Sequence, residues 1–66
     1  MKIIEAHSPK YNADGSIDLT VLFEQIGAEI PFTATENDTE EHGRILFNSA
    51  KQGAYGAIEP YIEPTL

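Results

Sequence analysis

Residues 17–24 alternate in polarity, and this alternation limits the fold more than any other feature of the chain. Large apolar side chains occupy every second position: Ile17, Leu19, Val21 and Phe23. The positions between them are polar except for Leu22. Because successive side chains of a strand point to opposite faces of a sheet, the pattern predicts a strand with one face against a core. Such a strand needs neighbouring strands and a covering layer.

Two other segments are predicted to supply those neighbours. Residues 2–8 begin with an apolar pair, and residues 28–34 alternate around Pro31. Proline has no amide N–H to donate to a ladder, so the segment with Pro31 is predicted to be an edge strand, or a strand whose position 31 faces away from its neighbour. A turn-rich stretch follows the first strand from Ser8 onward and contains Asp14-Gly15, a strong hairpin signal.

A helix is predicted near residues 36–52, where the apolar period changes from that of a strand to that of a helix. Thr35 followed by Asp38 resembles a capping box, and Gly53 suits the position just after a helix. The stripe predicted to face the sheet has small residues at its centre, which would let the helix lie close to the strands: Gly43, Ser49, Ala50 and Gly53.

The sequence therefore predicts an α+β fold in β-β-β-α order, with a three-stranded antiparallel sheet packed against one C-terminal helix. This domain would cover residues 1–54, and the proline-containing residues 55–66 would form an extended tail. With 66 residues there is room for one core. We expect that core to contain Ile17, Leu19, Val21, Phe23, Ile30, Phe32 and Leu46, covered also by Ile45 and Phe47.

The charge balance disfavours several classes of partner. Eleven acidic residues against four basic ones give a formal net charge of −7. Nucleic acids and anionic membranes both attract clustered Lys and Arg, whereas the basic residues here are scattered. No apolar run approaches the roughly 20 residues that span a bilayer. The absence of cysteine excludes thiol chemistry and fits an intracellular location.

No set of residues in the sequence predicts catalysis, a cofactor or a metal site. His7 and His42 lack the spacing of a zinc motif, and we expect His42 to pack at the edge of the core. No nucleophile motif surrounds Ser8, Ser16 or Ser49. The sequence therefore predicts a protein without enzymatic activity.

The tail is the candidate partner-binding segment, through Tyr55, Ile58, Tyr61 and Ile62. Tyrosine is enriched at protein interfaces because it combines apolar area with a hydroxyl group. These side chains could instead pack on the protein's own sheet, and both alternatives stay open at this point. The free sheet edge and the acidic helix face are further candidates for contact with a protein partner, and a homodimer is also left open.

Several motifs along the chain resemble a group of small, largely uncharacterised proteins encoded in the tail regions of bacteriophages and prophages. The resemblance rests on the segments at residues 1–6, 12–18, 31–38, 41–44 and 53–58. The strand Pro-Phe-Thr-Ala-Thr that leads into Glu-His-Gly-Arg carries most of it. It covers nearly the whole chain, and it implies a virion or assembly context without supplying catalytic residues.

Two functions are compatible with these observations. The first is a non-enzymatic phage or prophage accessory protein, either a small virion component or a tail-assembly factor, located in the host cytoplasm or the virion. Its partner would be a protein, such as a phage structural protein. The alternative is an acidic nucleic-acid mimic that inhibits a host defence protein, for which the acidic residues should concentrate on one surface.

Overall fold

The alternating segment forms the central strand of the sheet. A computed structural model describes residues 2–64 and contains β1 (Ile3–Tyr11), β2 (Ile17–Phe23), β3 (Glu29–Ala34) and α1 (Glu41–Lys51). The strands are antiparallel in the order β1-β2-β3, so β2 pairs on both sides. The predicted α+β fold in β-β-β-α order is confirmed, and so is the placement of Pro31 on an edge strand.

The core lies between one face of the sheet and α1. Its buried members are Ile17, Leu19, Val21 and Phe23 of β2, Ala34 of β3, and Leu46, Phe47 and Ala50 of α1. Phe23 and Phe32 meet edge to face with ring centroids 5.8 Å apart. His42 lies against both rings, at 5.4 and 5.5 Å, so the prediction that it packs at the core edge is confirmed.

Three of the expected core positions differ from the prediction. Ile30 and Phe32 are only partly buried, because they lie on an edge strand and pack against the margin of the core. Ile45 is exposed, whereas Phe47 is buried. The buried residues of α1 are Gly43, Leu46, Phe47 and Ala50, and at about 100° per residue Ile45 lies on the opposite side of the helix from them.

β1 is longer than predicted and continues through Ser8 and Pro9, which were expected to begin a turn. Ser8 has a φ of 57°, and the pairing moves there from His7–Thr20 to Lys10–Asp18. One extra residue is thus absorbed in β1 as a bulge, after which the strand resumes. The hairpin turn comes later, where Gly15 at a φ of 87° donates its amide N–H to the Asn12 carbonyl.

The helix begins at Glu41, so the predicted start near residue 36 with Thr35 as cap is wrong. The Asp38 carboxylate accepts the Glu40 amide N–H at 3.0 Å, and the Arg44 guanidinium donates to the Asp38 carbonyl at 2.7 Å. The first bond is a local turn that competes with helical pairing, which keeps the chain non-helical up to Glu40.

Gly43 and Gly53 differ in how well they match the prediction. A Cβ at Gly43 would overlap the Asp38 carboxylate. The close approach is therefore to the loop before the helix, whereas the prediction was a close approach to the sheet. Gly53 follows the C-cap residue Gln52 with a φ of 86°, which confirms its predicted place at the end of the helix.

Candidate protein-contact site

The C-terminal segment, residues 53–64, is turned back along the domain by the way the helix ends. The amide N–H of Ala54 donates to the Ser49 carbonyl and that of Gly53 to the Ala50 carbonyl, both at 3.0 Å. These two bonds form a Schellman motif, which closes the helix and reverses the chain. A second glycine at positive φ, Gly56, donates to the Gly53 carbonyl and completes the reversal.

The segment is then fixed to the outer edge of β1. The Glu59 amide N–H donates to the Pro9 carbonyl at 3.0 Å, and the Tyr11 amide N–H donates to the Glu59 carbonyl at 2.9 Å. Glu59 thereby forms a parallel bridge with Lys10. The side chains of Tyr55 and Ile58 are partly buried and pack against the core. These contacts form what we call the anchor, residues 55–59.

Beyond the anchor the chain is exposed. Tyr61 exposes 42% of its surface and Ile62 exposes 78%. Within residues 2–64, no backbone hydrogen bond joins the segment to β1 after the one that the Glu59 carbonyl accepts. The four residues predicted to bind a partner are thus divided: Tyr55 and Ile58 contact the protein's own core, while Tyr61 and Ile62 face solvent. Residues 65 and 66 of the predicted tail lie outside the described residues.

Lys51 joins the end of the helix to the end of β1, next to the anchor. Its ammonium donates to the Tyr11 hydroxyl at 3.1 Å and lies 5.3 Å from the centre of the Tyr11 ring. It is also 5.9 Å from the centre of the Phe47 ring, a cation–π distance. These contacts give the basic residue in the last turn of α1 a structural role.

A polar cleft of about 410 Å³ lies beside Lys51, between the β1–β2 hairpin and the loop before α1. On its hairpin side the Ser16 hydroxyl and amide N–H donate to the Asp14 carboxylate at 2.6 and 3.0 Å. These bonds stabilise the ionised carboxylate and hold the pKa of Asp14 below its ordinary value. The Asp14 charge is therefore used to fix the hairpin.

The face of the sheet opposite α1 is polar, and Asp18 is the centre of its hydrogen bonding. The Thr33 hydroxyl and the Asn12 side-chain amide donate to Asp18 Oδ1 at 2.6 and 2.9 Å. Both bonds lower the pKa of Asp18, the Thr33 bond more. This arrangement ties β2 to β3 and to the hairpin loop, so its role is structural.

On the same face a serine, a histidine and a glutamate are linked by hydrogen bonds. The sequence analysis did not predict this arrangement. His7 Nδ1 lies 2.8 Å from the Ser8 hydroxyl oxygen, and Nε2 lies 3.2 Å from Glu29 Oε2. The side chains of His7 and Glu29 are about half exposed. Catalytic groups of this kind act in sites that exclude water, so the arrangement is best understood as a polar bridge across β2. No spacing rule links residues 7 and 29, because register alone brings them together.

Neither a metal cluster nor a membrane-spanning helix is found in the described part of the chain. Within residues 2–64, no three His, Asp or Glu side chains form a group that could hold a metal ion. No helix among these residues has the length and apolar character needed to cross a membrane.

Comparisons with known proteins found no match for this chain among protein-family models, curated proteins or solved structures. The functional interpretation of the C-terminal segment therefore rests on its own geometry.

Proposed function

We propose that this protein is a non-enzymatic accessory protein that binds a protein partner through its exposed C-terminal segment. The observation that carries the proposal is the division at Glu59, where an anchored chain becomes an exposed one. Tyr61 and Ile62 offer an aromatic and an aliphatic side chain to a partner next to a fixed point of the fold. A bacteriophage or prophage assembly context is the setting that the sequence resemblance implies.

The backbone of the exposed segment favours this use. Pro60 and Pro64 fix their own φ angles, and a residue before proline is held to extended conformations, which applies to Glu59 and Glu63. Most of residues 59–64 is thus restricted before any partner binds. A ligand that is already extended loses less conformational entropy on binding, and the anchor reduces that loss further.

The direct test is recovery of a partner by chains that differ only in the exposed segment. The N-terminally tagged protein and its Tyr61→Ala/Ile62→Ala variant would be purified from induced lysogens, and co-purifying proteins quantified. We expect a stoichiometric protein partner with the unchanged chain and at least about ten-fold less with the variant, since exposed aromatic anchors often dominate interfaces. Ile26→Ala, at an exposed isoleucine in the β2–β3 turn, is the matched control.

Thermal unfolding of each variant completes the test. The double variant should unfold at the same temperature as the parent, because both side chains lie outside the core. Equal partner recovery by parent and double variant would refute binding through this segment. Turnover of a substrate that the His42→Ala variant abolishes would refute the non-enzymatic assignment.

A further inference from the structure

A second exposed apolar surface lies at the other end of β1. There the start of β1 and the first turn of α1 enclose a cleft of about 550 Å³. The anchor, by contrast, pairs with the last residues of β1. The cleft is lined by Lys2, Ile3, Glu40, Glu41, His42 and Ile45. Ile45 exposes 46% of its surface although it lies in the middle of a helix.

The large exposed hydrophobic side chains of residues 2–64 fall into two groups. Tyr61 and Ile62 are in the C-terminal segment, and the others are Ile4, Ile26 and Ile45. Ile4 follows a cleft residue in β1, and Ile26 is in the turn after β2, where the Gln25 side chain accepts the Lys2 amide N–H. All three isoleucines therefore lie at the end of the sheet that holds the cleft. Of the three, Ile45 lines the cleft itself.

The charges around the cleft indicate what kind of partner fits it. Glu40 and Glu41 are exposed at its rim, and Glu40 makes no side-chain capping hydrogen bond to the helix. The Lys2 ammonium is paired with Glu24 at 3.6 Å, so it offsets little of the rim charge. A second copy of this chain would bring the same net charge of −7 and be repelled. A basic segment is attracted instead.

We propose that this cleft binds a basic segment of a protein partner, with one apolar side chain between Ile3 and Ile45 and a Lys or Arg against Glu40 and Glu41. The site is independent of the C-terminal segment, so either proposal can fail without the other. With both sites in use, the protein joins two partners at opposite ends of β1.

The test uses a fluorescein-labelled decapeptide in which Lys and Val alternate, titrated into the full chain at physiological ionic strength. Backbone amide shifts from ¹⁵N NMR locate the peptide. We expect the largest shifts at residues 2–4 and 40–46. We also expect Ile45→Ser to weaken binding about ten-fold, and the matched exposed change Ile62→Ser to weaken it less than about two-fold. A peptide with Glu in place of Lys should not bind.

Three results would overturn this proposal. Shifts spread over all acidic residues, or centred on Asp14 and Glu36, would show attraction by net charge or by the polar cleft. Equal weakening by Ile45→Ser and Ile62→Ser would remove the cleft as the site. Sedimentation that shows a dimer dissociated by Ile45→Ser would identify a second copy as the occupant.

Discussion

Strand β2 carries five large apolar side chains and buries the four that share one face, whereas only two of the four large apolar or aromatic side chains of the C-terminal segment approach the core. In β2 the buried four occupy alternate positions, and the strand is paired on both sides, in continuous register with β3 and with two register shifts in the ladder with β1. The C-terminal segment has a single bridge, at Glu59, to fix its register. Backbone pairing, more than the number of apolar side chains, therefore decides which of them are buried.

The two regions also end differently. β2 ends at Phe23 in a turn whose amides at Ile26 and Gly27 donate to the Phe23 carbonyl, so the strand is closed by the fold itself. The C-terminal segment leaves the fold after Glu59, where its backbone hydrogen bonds to β1 stop. Tyr61 and Ile62 are consequently free of the core but attached to it at a defined point, as a docking segment requires.

The largest effect of a substitution is expected in the layer that covers β2. Leu46 is fully buried on that strand, so Leu46→Ala should lower the free energy of unfolding by about 2–5 kcal/mol. The neighbouring Ile45→Ala is the matched control and should cost less than about 1 kcal/mol, because Ile45 is exposed. Urea unfolding followed by circular dichroism measures both. Similar losses for the two variants would contradict the helix register.

A smaller effect is expected at the anchor. Ile58 is partly buried against the core, so Ile58→Ala should lower the free energy of unfolding by about 1–2 kcal/mol, less than a fully buried site. Ile62→Ala removes the same atoms from an exposed position and should change the free energy of unfolding by less than about 0.5 kcal/mol. Chemical denaturation of the pair gives the difference. If Ile62→Ala proves as destabilising as Ile58→Ala, the exposed segment packs on the domain.

The smallest effect concerns acid sensitivity through Asp18. Its pKa in the folded protein is lower than the ordinary 3.8 because Thr33 and Asn12 donate to the carboxylate. The resulting stability is fully present above the ordinary pKa and is lost as pH falls through the lower folded value. Asp18→Asn should therefore flatten the fall in unfolding free energy below about pH 4. Glu63→Gln, in the exposed segment, is the control. If the unfolding free energy of Asp18→Asn falls with pH as steeply as that of the parent, Asp18 does not contribute to the acid sensitivity.

Local patterns in the sequence were sufficient for the fold. The alternation at residues 17–24 identified β2 and its buried face, since a strand's two faces follow directly from the order of its residues. Pro31 identified the edge strand and Gly53 the helix end, because both depend on properties of single residues: a missing N–H and access to positive φ.

Tertiary structure decided the bulge at Ser8 and the two halves of the C-terminal segment, whereas the start of the helix was decided by a competing local turn at Asp38. Thr35 and Asp38 fit a capping box in sequence, but the Asp38 carboxylate is held by the turn to Glu40 and lies against Gly43. Phe47 is buried and Ile45 is exposed because of the side of α1 that meets the sheet. Tyr55 and Ile58 were separated from Tyr61 and Ile62 because Glu59 pairs with Pro9 and Tyr11. Apart from the helix start, each of these outcomes depends on a partner group brought near by folding, which no local pattern of residues encodes.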